Sequence, residues 1–223
     1  RHGLPAHPQS AGGPSTWRWV AEVLSAAGHM AAVPDLRAPA MAGDPLRYID
    51  EASSLSSAGS SPVVVGHSGA GFFLPSIAER VGAGHAVFVD AGPPPESSPA
   101  TAGGDVHEQL LGLAVRGTLP RWSEWWGEGV MEVLVPDARR RALVEEGLPE
   151  IPIAFYDTPV EVPADWPNRP ASYVLLSDAY RADAERARAQ GWRVVERLGG
   201  HLDIVNAPEA IARLIVELER VSQ

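Results

Sequence analysis

Cysteine is absent from the 223 residues, and so is lysine. The first absence removes disulfides, thiolate metal sites and a cysteine nucleophile. The second removes the Gly-Lys-Ser/Thr ending that a phosphate-cradling P-loop requires. An all-arginine cation set follows most simply from a GC-rich genome that is also generous with Ala, Gly and Pro. Positive charge is scarce as well. The 18 arginines stand against 28 acidic residues, for a net charge of −10, which disfavours nucleic acid as a partner because phosphate contacts need a basic surface. No apolar run is long enough to span a bilayer and no segment resembles a signal peptide. The expectation is therefore a soluble, cytoplasmic protein with no membrane partner. There is no internal repeat, and no cluster of metal ligands with convincing spacing.

What is present is ordinary globular material, 45% hydrophobic and 21% charged, in a length that suits one α/β domain with room for an inserted subdomain. Apolar runs alternate with helical patterns, the signature of a parallel sheet with crossover helices. "WRWVAEVLSAAGH" (17–29) has helical periodicity, with Thr16 or Ser15 placed to cap its start and Gly28 its end. "MAAVPDL" (30–36) reads as a short buried strand, its Asp35 a structural partner of Arg37 or of a loop amide. A second helix is expected over 45–58 with Pro45 in its first turn. "PVVVGH" (62–67) reads as a central strand buried on both faces. A helix then runs from about Gly69 to Arg80, interrupted near Pro75. "HAVFVD" (85–90) is the next strand, followed much later by "SYVLLS" (172–177), a helix over 181–190, "WRVVERL" (192–198) and a closing helix (208–221).

Residues 93–170 break this rhythm. They open on "GPPPESSPATAGG", a hinge-like Pro/Gly/Ser stretch, and carry two helical patterns, "VHEQLLGLAVRG" and "DARRRALVEEG". Between these lies "RWSEWWGEG", where Trp122, Trp125 and Trp126 at i, i+3 and i+4 share one side of a helical turn. The segment reads as a mainly helical lid inserted between 1–92 and 171–223, covering the sheet edge where open α/β sheets bind ligands.

The chemistry concentrates at "VVVGHSGAG" (63–71). A strand-to-helix turn of G-x-S-x-G type projects a serine Oγ clear of the sheet and aims helix N–H groups at the reacting carbonyl. Gly66 and Ala70 occupy the flanking small-residue positions, Ala70 where a glycine is usual. Ser68 is thus the candidate nucleophile. It needs a base, and "RLGGHLDIV" (197–205) places His201 after the last strand, with two glycines to turn it over the sheet edge. His67, beside the serine, points to the opposite face and reads as structural or pocket-lining. For the acid, Asp178 at the end of "YVLLSD" is favoured. Asp90, closing "AVFVD" one strand earlier, is the alternative. Asp183 reads as the outer face of a charged helix.

These residues resemble the α/β-hydrolase superfamily over nearly the whole chain, through "GHSGAG" after a β-rich strand, "GGH" near the end, "AGH…VPDLR" upstream and an insertion before the last two strands. The layout is similar to small bacterial members of the methylesterase and hydroxynitrile-lyase branch. The resemblance implies Ser68 as nucleophile, His201 as base and Asp178 as acid. It also implies an oxyanion hole from the Gly69 N–H and a second N–H in the loop after the first strand. The entry "RHGLPAHPQSAGGPSTW" departs from the pattern, because the first strands are not legible there. Two stretches, His2-Gly3 and His7-Pro8-Gln9, are open as second donor, and distance to the "TWRWV" helix favours Gln9.

The expected reaction is cleavage of an ester, thioester or lactone of an apolar small molecule, with neither cofactor nor metal implied, by a monomer or homodimer. His67, Phe72, Trp122, Trp125 and Trp126 are the candidate pocket residues. The tryptophans serve equally well as glue between lid and sheet. Two other readings share the scaffold: an elimination, lyase or cyclising reaction on a specialised metabolite, and a ligand-binding member without turnover.

Overall fold

Outside residues 93–170, β-branched runs alternate with helical segments, and the fold is the result of stacking these units side by side. The computed structural model describes residues 13–55 and 61–220. The first helix, α1 (Arg18–Ala26), is followed by α2 (Arg37–Met41) and α3 (Pro45–Ser53) before the first strand, β1 (Val63–Ser68). A 3₁₀ turn over Gly69–Phe73 leads into α4 (Leu74–Val81), and β2 (His85–Ala91) follows. Residues 93–170 hold α5 (His107–Leu113), β3 (Thr118–Leu119), α6 (Val130–Leu134), α7 (Ala138–Gly147), β4 (Ile151–Pro152) and α8 (Ala154–Asp157). The chain then returns to the sheet with β5 (Ala171–Leu175), α9 (Arg181–Ala189), β6 (Arg193–Glu196), α10 (Asp203–Asn206) and α11 (Pro208–Arg220).

Among the described residues, β1, β2, β5 and β6 form one sheet in that order, every pair parallel. Helices cover both faces, as a parallel sheet requires. On one face Val87, Val89 and Val174 pack with Val20 of α1 and with Ile211, Ile215 and Leu218 of α11. On the other, Phe88, Tyr173 and Leu175 pack with Ala184 and Ala187 of α9 and with Trp192, which stacks on Phe88 at 4.9 Å. The segment 93–170 is not a separate globule. Trp122, Met131, Val135 and Val144 belong to the same apolar cluster as Val87 and Val174, while Leu110, Phe155 and Tyr156 join Tyr48 and Phe73.

Three sequence expectations change. The run 30–36 is not a strand: it crosses the surface without ladder pairing, and Met30 is 96% exposed. Its end is fixed instead by Asp35, which accepts from Arg37 Nε at 2.8 Å, from Nη2 at 2.6 Å and from the Arg37 N–H, and so turns the chain into α2. Second, β1 stands at the edge of the described sheet with β2 as its ladder partner, and Val63–Val65 are only half-buried. Third, Thr16 does not cap α1. Its hydroxyl returns to the Gly13 carbonyl and closes a turn before the helix.

Other local signals hold as read. Asp44 accepts from the Arg47 N–H at 2.9 Å and Pro45 fills the first turn of α3, although the helix ends at Ser53, short of the expected 58. Pro75 sits in the first turn of α4, where its missing N–H costs nothing, so the interruption is the 3₁₀ turn before it. No helix among the described residues is long and apolar enough to cross a membrane.

Candidate active site

Ser68 lies where β1 stops and the 3₁₀ turn begins, with φ 57° and ψ −132°. That conformation is strained for any residue with a Cβ, and such strain is tolerated where it aims a functional side chain. The turn is tight enough that its glycines are required. A Cβ on Gly66 would lie 2.8 Å from the Leu74 side chain, and one on Gly71 would lie 2.8 Å from the Gly92 carbonyl oxygen. Ala70 faces no such obstacle and is half-buried beside a groove along β1. The glycine that arrives one place late, Gly71, is therefore the one that lets this turn pass the end of β2. Gly69, whose N–H is the expected oxyanion donor, is the first residue of the 3₁₀ turn.

His201 reaches the serine from the loop after β6. Gly199 N–H donates to the Leu176 carbonyl at 3.1 Å, Asp203 N–H to the Gly200 carbonyl at 2.9 Å, and Arg197 pairs with Asp203 across the loop. Leu202, Ile204 and Val205, all fully buried, anchor its far side. So held, His201 Nε2 is 3.1 Å from Ser68 Oγ, and Nδ1 is 2.9 Å from Asp90 Oδ2.

The carboxylate at His201 is Asp90, and this corrects the preference for Asp178. Asp90 is the extra residue of a bulge: His67 pairs with Val89 and Ser68 with Ala91, leaving Asp90 unpaired at φ 44°. Bulges re-aim side chains at functional sites. Fully buried, Asp90 accepts from the Leu176 N–H (2.8 Å), the Ser177 N–H (3.0 Å) and the Ser177 hydroxyl (2.5 Å), as well as from His201. Those donors let a charge sit in a buried place without a cation beside it. Asp178 instead points to solvent, its side chain 82% exposed, and pairs with Arg181 Nη2 at 2.6 Å. Asp183 is neither exposed nor at the base. It pairs with Arg186, and burial raises its pKa above the ordinary carboxylate value.

Two further side chains complete the cluster. His67 Nε2–H donates to the main-chain carbonyl of His201 at 2.8 Å, and the two rings lie 4.3 Å apart. Burial, reinforced by the neighbouring His201, pushes the His67 pKa well below the usual imidazole value, so it stays neutral and acts as a brace for the base. Tyr180, which sequence reading passed over, places its hydroxyl 3.0 Å from Ser68 Oγ and stacks its ring on that of His201 at 5.1 Å and 6°. The sequence does hold a signal for the aspartate. An acid ending the wholly apolar run "AVFV" must be paired if that run is buried, whereas "SDAYRAD" hands Asp178 an arginine three residues on.

A cavity of about 700 Å³ opens beside His201 and Tyr180, walled by Trp122, Trp126, Leu134 and Asn206. Trp122 lies 6.2 Å from the His201 ring and packs edge-on against Trp126 at 5.5 Å. Trp125 does not line it. Its Nε1–H donates to the Pro120 carbonyl at 2.9 Å. Phe72 is also elsewhere, packed on Phe73 in the core under α3. Gln9 and the two candidate entry stretches fall outside the described residues. No group of metal-ligating side chains occurs among the described residues.

A parallel sheet, a serine on a strained strand-to-helix turn, and a histidine delivered by the last loop define a class of proteins. Residues 2–214 match the model of the alpha/beta hydrolase family, and the chain belongs to that family. No curated protein matches its sequence. Among solved structures the chain is similar to a methylesterase from Arabidopsis (13% identity, TM-score 0.70, covering 95% of this chain and 96% of that one). It is also similar to tomato methylketone synthase I (13%, 0.70, 99% and 100%) and to a pyrethroid hydrolase from Sphingobium faniae (17%, 0.61, 93% and 92%). At these identities the likeness is one of fold.

Proposed function

We propose that this protein is a serine hydrolase that cleaves an ester bond in an apolar small molecule. The observation that carries the reading is the unbroken relay Ser68 Oγ–His201 Nε2 (3.1 Å) and His201 Nδ1–Asp90 Oδ2 (2.9 Å). Asp90 fixes the tautomer in which Nδ1 bears the proton and Nε2 is a free base, and it stabilises the imidazolium once that forms. Ser68 attacks the carbonyl carbon as its proton passes to Nε2. The tetrahedral oxyanion takes the Gly69 N–H, the first donor of the turn. His201 then protonates the departing oxygen, and water releases the acyl group from Ser68 by the same steps in reverse roles.

The tryptophan-walled cavity supports an apolar acyl or alcohol portion, with residues 93–170 acting as the lid that supplies Trp122 and Trp126. A silent binding protein has no use for a buried carboxylate held by four donors behind a histidine, and this favours turnover. The test is fluorophosphonate labelling with intact-mass readout on wild type and Ser68→Ala, followed by a panel of p-nitrophenyl esters. Prompt labelling confined to Ser68, with ester release above the Ser68→Ala background, supports the reading. An inert serine and no release above that background overturn it.

A further inference from the structure

The hydrogen-bond directions around Ser68 can be assigned from Asp90 outward. Asp90 accepts at His201 Nδ1, so Nδ1 carries the proton and Nε2 must accept. Ser68 therefore spends its single hydroxyl proton on Nε2. A lone pair of Oγ is left facing Tyr180, whose hydroxyl, 3.0 Å away, must be the donor. Burial pushes the Tyr180 pKa above the ordinary phenol value, so it holds that proton throughout the working pH range.

Tyr180 also stands on a particular side of the serine. Its ring lies parallel to that of His201, so its hydroxyl and Nε2 approach Oγ together. Nε2 must deliver its proton to the leaving oxygen, hence that oxygen sits on the side where Tyr180 also points. Once Oγ has bonded to the carbonyl carbon in the tetrahedral intermediate it is a poorer acceptor, and the Tyr180 donor is released for the oxygen about to depart. Tyr180 also lines the cavity beside His201, through which a leaving alcohol can depart.

We infer that Tyr180 is a catalytic residue that hydrogen-bonds the leaving-group oxygen, and that it fits this site to oxoesters of ordinary alcohols rather than to thioesters. The inference rests on the hydrolase reading above. The step balances without a further reactant. The Oγ–C bond forms, the C–O bond to the alcohol breaks, the serine proton travels through Nε2 to the alcohol, and Tyr180 keeps its own. An alkoxide is roughly as basic as hydroxide and gains greatly from a donor. A thiol is several pKa units more acidic than the corresponding alcohol, so a thiolate departs readily, and sulfur is a weak acceptor.

The experiment compares kcat/KM for ethyl hexanoate and S-ethyl thiohexanoate on wild type and Tyr180→Phe. A phenylalanine keeps the ring stack on His201, and the thioester rate of the same preparation reports an intact relay. The expected result is a loss of about a hundredfold on the oxoester, with the thioester rate preserved to within about threefold. Equal loss on both substrates, or no loss on either, overturns the inference while leaving the hydrolase reading standing. A wild type inert towards both esters and towards fluorophosphonate overturns the hydrolase reading, and this inference with it.

Discussion

Two strand ends offer a carboxylate to the base, and they could hardly differ more. Asp90 at the end of β2 is sealed from solvent and held by three donors besides His201. Asp178, just past β5, lies open to water and spends its charge on Arg181. In water that charge is screened and free to swing, so its pull on an imidazole is weak. In the bulge it has one direction and little screening. Placement after a particular strand does not select the acid. Desolvation combined with satisfied hydrogen bonds does, and those conditions exist at only one of these two ends.

The contrast can be broken most forcefully at Asp90. Asp90→Asn is expected to reduce ester turnover by about 10⁴-fold with an unchanged circular dichroism spectrum, because the amide no longer enforces the tautomer with Nε2 free. Ser177→Ala removes the 2.5 Å donor to Asp90, and should lower kcat/KM by about tenfold with KM little altered. The same sealed pocket also shapes stability through His67. Its folded pKa lies below its unfolded value, so the unfolded chain binds the extra proton as pH falls. Stability is therefore present above about pH 6.5 and lost progressively below it, by at most about 1.4 kcal/mol per pH unit for this one group. His85, buried at the start of β2 against the Ser172 hydroxyl, has its pKa lowered by burial as well and adds to that slope. Urea unfolding of His67→Gln between pH 5 and 7 should show a flatter dependence than wild type. At the exposed end, Asp178→Asn should change turnover by less than about twofold, as expected for a screened surface pair.

Much of the architecture can be read from the residues, and the failures are instructive. The strands around Val63–Ser68, His85–Ala91 and Ala171–Leu175 announce themselves by β-branched runs, and Ser68 and His201 by glycines that permit their turns. The run 30–36 reads as a strand because composition is local, yet a strand exists only if a neighbour offers a ladder, and sequence says nothing of neighbours. The choice of Asp90 over Asp178 is hard to read for a related reason. Its reach to His201 depends on a bulge in the pairing of β1 with β2, a property of two segments together. Tyr180 carries no comparable local signal: no glycine turn or motif in "SDAYRAD" marks its hydroxyl as reaching Ser68.

The most direct test of the account needs no knowledge of the substrate. It is the rate at which a fluorophosphonate labels Ser68 in Asp90→Asn and in Asp178→Asn, each relative to wild type and followed by intact mass. A relay through the buried carboxylate predicts that labelling falls by at least about a hundredfold in Asp90→Asn and stays at the wild-type rate in Asp178→Asn. The reverse pattern, or full-rate labelling in a folded Asp90→Asn protein, would contradict it.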